Sequence, residues 1–60
     1  MKEVITISTL DNLTVTIFTK HITYIEHAED GCVIHVNAGE NVAIKTSFKW
    51  AEMVNFLALR

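Results

Sequence analysis

The sequence predicts an α+β fold: a small curved antiparallel five-stranded meander, β-β-β-β-β, with one C-terminal α-helix packed on it, all in a single domain spanning 1–60. Three observations carry that reading. Apolar and polar residues alternate with a period of two through the first half of the chain. Turn-forming residues recur at hairpin spacing, with no proline anywhere to block a backbone ladder. After Ser47 the pattern changes to a helical period.

The β-branched run "KEVITIS" gives a first strand near 2–9, and "LDN" supplies the turn that follows. In "LTVTIFT", Leu13, Val15 and Ile17 point one way and Thr14 and Thr16 the other, so a second, half-buried strand is expected near 13–19. Strands at 21–28, 32–37 and 41–46 are joined by "EDG" and "NAGEN", which put Gly31 and Gly39 at the two turns. "SFKWAEMVNFLALR" is rich in helix formers, with Ser47 placed to cap the first turn. On a helical wheel Trp50, Ala51, Met53, Val54, Leu57 and Ala58 form the side that covers the sheet. Phe48, Phe56 and Leu59 fall next to Lys49 and Glu52, where a lone helix leaves them in water; gathered exposed apolar groups mark a partner surface, so these three are the expected interface.

Half the residues are hydrophobic and a fifth are charged, a balance that belongs to a packed domain and not to a disordered tail. A chain of this length nevertheless buries only roughly 60% of its unfolded surface, and such cores need a supplement. One cysteine, Cys32, allows no disulfide within these 60 residues, so self-association is the expected supplement and a homo-oligomer the expected state. The formal net charge is -2, and Lys2, Lys20, Lys45, Lys49 and Arg60 are scattered, which disfavours a nucleic-acid partner. No apolar run approaches a membrane span, and the N-terminal stretch lacks a signal-like apolar core; no membrane association and a cytoplasmic location are expected.

The stretch "HITYIEHAEDGCVIHV" holds all three histidines and the cysteine, and is the one place where a metal or catalytic centre suggests itself. Register decides whether the ligands converge. With Asp30-Gly31 as a two-residue turn, His27 and Cys32 share a face and His35 takes the other; with an "EDG" loop, His27 joins His35 and Cys32 is opposite. His21 lies roughly 20 Å up the strand from His27 at about 3.3 Å per residue. Neither register gathers the three ligands a zinc site needs, and no third group orients a Cys32–His27 pair for catalysis. The expectation is therefore no metal, no cofactor and no enzymatic activity. A pocket at an oligomer interface, lined by Tyr24, His27 and Trp50, is the one small-molecule site the sequence offers.

The order of elements resembles the small flagellar FlbD/SwrD family along nearly the whole chain. "STLDN" is similar to that family's first turn, "HITYIE" to its segment with two isoleucines and a glutamate, "DGCVIHVNAGE" to its aspartate, alternating strand and glycine, and "IKTSF" to the start of its helix. The chain departs from the family where basic residues are usual: Glu40 and Asn41 precede the fifth strand, and "FLAL" ends the helix. Residues 22–58 also resemble about half of a LytTR DNA-binding domain, without its base-contacting basic and asparagine residues. Fold similarity does not carry function, and the leading expectation is a small non-enzymatic interaction or regulatory module, self-associated through the helix or an open sheet edge, that acts by binding a protein partner. A LytTR-like nucleic-acid regulator and a phage or mobile-element inhibitor of a host protein are the alternatives.

Overall fold

The computed structural model of the chain describes residues 3–57. Its elements run β1 (Val4–Ser8), β2 (Thr14–Phe18), a 3-10 turn (Thr19–His21), β3 (Ile22–Ala28), β4 (Gly31–Asn37), β5 (Asn41–Thr46) and α1 (Trp50–Leu57). The α+β class, the antiparallel strands and the C-terminal helix are as the sequence predicts. The single meander is not: the strands divide into a two-stranded sheet, β1-β2, and a three-stranded sheet, β3-β4-β5. The break falls at the 3-10 turn, which reorients the chain so that β3 pairs with β4 and not with β2.

In the first hairpin Ile5 faces Ile17 and Ile7 faces Val15, while Thr6 meets Thr16 on the outer side, their hydroxyls 3.1 Å apart. Leu13 leaves this pattern. It closes the turn, its carbonyl accepting from the Thr9 N–H at 2.8 Å and its own N–H donating to the Thr9 hydroxyl at 3.2 Å, and its side chain is exposed. Asn12 supplies the left-handed backbone, φ 64°, that this turn requires.

The core comprises Ile5, Ile7, Ile17, Cys32, Ile34, Met53 and Leu57, so both sheets and the helix contribute. Burying an aliphatic side chain of this kind stabilises by roughly 1.5–3 kcal/mol. The sheets are tied at one corner, where the Leu10 N–H donates to the Lys45 carbonyl at 3.1 Å and the buried Thr46 hydroxyl donates to the Ser8 carbonyl at 2.8 Å. At the other end of β1, the Thr19 N–H and hydroxyl both donate to the Glu3 carbonyl, at 2.9 and 3.1 Å.

The helix starts at Trp50, not at Ser47. Two neighbours take over the work expected of Ser47: the Thr46 hydroxyl accepts from the Phe48 N–H at 3.3 Å, and the Glu52 carboxylate accepts from the Lys49 N–H at 3.2 Å, half of a capping box with Lys49 at the cap. Met53 and Leu57 are its buried residues, with Trp50, Val54 and Phe56 half-buried. Ala51 is exposed, contrary to the wheel. Ala58 and Leu59 lie outside the described residues.

The β3–β4 hairpin adopts neither register anticipated. Ala28 pairs with Gly31 and His27 with Cys32, so the two-residue turn is Glu29-Asp30. Gly31 belongs to the strand because of a close approach: a Cβ there would stand 2.0 Å from the Thr46 carbonyl oxygen. Gly39, at φ 98° with open space around it, does serve a turn.

Candidate functional site at the open edge of β3

The register sorts β3 into two faces. Ile25 and His27, opposite Ile34 and Cys32, face the core side; Tyr24 and Glu26, opposite His35 and Val33, face outward. A bulge between Ile22 and Tyr24, at Thr23, brings Ile22 opposite Val36 and onto the core side as well. Among the described residues no strand pairs with the other side of β3.

On the core side the His27 ring stacks on the Trp50 indole, with centroids 4.9 Å apart and planes 25° from parallel. Beside this stack lies a groove of about 260 Å³, lined by Ile22, Ile25 and Leu57 together with Tyr24, His27 and Trp50. The structure thus brings Tyr24, His27 and Trp50, the trio singled out in the sequence, around one concavity. Phe48 and Phe56 also meet, edge to face at 4.8 Å, but half-buried against the core and not stranded in water. The wheel treated the helix alone; the segment leading into it folds back and gives Phe56 a partner.

On the outer side the Tyr24 ring stacks on His35 at 4.2 Å and 14°, and His35 Nε2 is paired with the Glu26 carboxylate. Sequence reasoning missed this Tyr24–His35–Glu26 group because it depends on the hairpin register. With Ala28 opposite Gly31, Tyr24 falls directly across from His35 and Glu26 becomes its diagonal neighbour.

The three histidines occupy separate surroundings: His21 sits edge to face with Phe18 at 6.4 Å, His27 under Trp50, and His35 on the outer face. Among the described residues no three His, Cys, Asp or Glu side chains gather as metal ligands. Cys32 pairs with His27 but is only 2% exposed, and burial pushes its thiol pKa up, the wrong direction for a nucleophile. Among the described residues no helix is long and apolar enough to cross a membrane. What fold and site define is a small α+β domain whose three-stranded antiparallel sheet ends in a strand with, among the described residues, no strand on its outer side, beside an aromatic-lined groove. Compared with protein families, curated proteins and solved structures, the chain matches none of them.

Proposed function

We propose that the chain is a small, non-enzymatic regulatory module of the cytoplasm that self-associates and acts by binding a protein partner. The observation that supports this reading is the seven-residue strand Ile22–Ala28, unpaired on one side among the described residues and flanked by an apolar groove. An unpaired strand edge is a template for backbone hydrogen bonding to another chain, and an adjacent groove adds side-chain selectivity. The half-buried pair Phe48 and Phe56 extends the apolar surface on the helix side. Sedimentation equilibrium and melting over a wide concentration range test self-association. A mass and a melting temperature that rise with concentration are expected, and a monomer with an invariant melt overturns it. Affinity capture from the source cell, followed by titration of the purified candidate, tests the partner; failure of every candidate to bind in isolation overturns that half of the reading.

The groove also supports a second reading, a small apolar ligand held between Tyr24, His27 and Trp50, since its volume of about 260 Å³ approaches the lower end of ligand sites. Native mass spectra should then show one reproducible adduct that Trp50→Ala abolishes. Spectra free of any adduct reject this reading.

A further inference from the structure

We propose that the open edge of β3 pairs antiparallel with β3 of a second copy of this chain, about a two-fold axis at Ile25. The inference rests on the reading of the chain as a self-associating module and names the surface and register involved.

The backbone provides the first argument. A two-residue turn at Glu29-Asp30 makes Ala28–Gly31 a hydrogen-bonded pair, and in an antiparallel ladder such pairs alternate with non-bonded ones. By that alternation the amides and carbonyls of Glu26 and Tyr24 serve β4, while those of His27 and Ile25 point away from it. The outward groups are thus those of residues whose side chains face the core side.

The second argument is the edge's composition. Strands at a sheet edge are ordinarily guarded by lysine, proline or an inward-pointing charge. "ITYIEHA" has neither lysine nor proline, and its one acidic residue, Glu26, points to the outer face. β5, the opposite edge, carries Lys45 and is bonded to the first hairpin through the Lys45 carbonyl. Of the two edges of this sheet, the β3 edge is, among the described residues, the one left as a long template, its single guard the bulge at Thr23 near its start.

Charge fixes the register. With Ile25 facing Ile25 of the partner subunit, Tyr24 faces the partner subunit's Glu26, and the reverse pair repeats across the axis. Both side chains lie on the outer face, so the tyrosine hydroxyl can donate to the carboxylate that His35 holds from the other side. Sliding the copies by one two-residue repeat one way places Glu26 against its own copy, two like charges directly opposed. Sliding the other way sets the bulged Thr23 against Ile25, within the centre of the ladder. The favoured register joins the three-stranded sheets of both copies into one continuous sheet, with both helices on the same side and the two grooves meeting at the axis. The interface is isologous, as a two-fold requires.

The test uses Tyr24→Glu at an exposed position, with far-ultraviolet dichroism of the dilute protein checking that the monomer fold survives loss of the Tyr24–His35 stack. In the proposed register it places a carboxylate opposite Glu26 of the partner subunit twice, and the dimer dissociation constant should rise about tenfold or more in sedimentation. Adding Glu26→Lys converts both repulsive pairs into attractive ones and should restore the affinity. The amides of Ile25 and His27 should exchange with solvent more slowly as concentration rises. A dimer indifferent to Tyr24→Glu, with these two amides exchanging freely at high concentration, overturns the β3 pairing while leaving self-association standing. A wild-type chain that remains monomeric overturns both.

Discussion

The two edges of the three-stranded sheet are opposites. At the β5 edge the chain closes on itself: Leu10 donates to the Lys45 carbonyl, Thr46 donates to the Ser8 carbonyl, and Gly31 lies so near Thr46 that no side chain fits. At the β3 edge the described residues offer no strand, only a groove and a stack of His27 on Trp50. The difference teaches where this small domain spends its specificity. The closed edge holds the sheets together and tolerates no change of shape; the open edge contributes less to the fold and is free to serve another chain. Substitutions at the closed edge should therefore cost far more stability than those at the open one.

The largest effect is expected at Gly31. Gly31→Ala drives a methyl to 2.0 Å from backbone that cannot turn aside as a flexible side chain would, so β4 and the end of β5 must separate. A loss of at least about 3 kcal/mol is expected, enough to unfold a marginal domain. Gly39→Ala is the control: only its left-handed backbone is strained, with nothing within 4 Å, and about 1–2 kcal/mol should be lost. Gly31, at φ 158°, shares a positive φ with Gly39, so urea denaturation of the two variants reads what the Thr46 contact adds to backbone strain, and equal losses would contradict the packing of β4 against β5.

Thr46→Val comes next. The Thr46 side chain is 2% exposed and bonds twice, donating to the Ser8 carbonyl and accepting from the Phe48 N–H. Valine keeps the shape and strands both backbone groups, so about 1–3 kcal/mol should be lost, again by urea denaturation. A neutral outcome would mean that the corner joining the two sheets is held by the Leu10–Lys45 bond alone.

Cys32 lies on the central strand between the two edges. Burial raises its thiol pKa above the usual value of 9.0, so the folded chain holds its proton where the unfolded chain has released it. The sign follows: stability is unaffected below the unfolded pKa and falls as pH climbs from there through the folded pKa. Native protein at mildly alkaline pH should resist alkylation by iodoacetamide until denaturant is added. Ready alkylation of the native chain would show that the His27 side of β4 opens, and that the open edge is looser than its packing indicates.

The fold was legible in the sequence as far as local rules reach. Period-two alternation located the first two strands, turn residues at hairpin spacing located the next three, and the change of period located the helix. The division into two sheets escaped because it is decided at Thr19–His21 by bonds to Glu3, sixteen residues away, which no local pattern records. The helix start moved from Ser47 to Trp50 for a similar reason: the Thr46 hydroxyl takes the Phe48 amide and the Glu52 carboxylate the Lys49 amide, and Thr46 is held in place by β1. At the site, the meeting of Tyr24, His27 and Trp50 was visible as composition, whereas the Tyr24–His35–Glu26 group was not. It needs the hairpin register, and that register depends on Gly31 entering the strand to approach Thr46, a contact across the fold.

The smallest effect on stability is expected from His27→Ala, at the open edge. His27 is an exposed residue whose ring covers one face of Trp50, with centroids 4.9 Å apart. Its removal deletes an aromatic contact and leaves no buried polar group unpaired, so only about 0.5–1 kcal/mol of stability should go. The local effect should be plainer than the global one. Trp50 is the only tryptophan, and with its neighbour gone the indole meets more water, so its emission should shift to the red while the far-ultraviolet dichroism stays the same. If a second copy seats on this edge, the shift should shrink as concentration rises, because the partner subunit covers the groove from the other side. A His27→Ala loss as large as that of Gly31→Ala would end the contrast between the edges, since it would show that the fold depends on the β3 side as heavily as on the side where the chain closes.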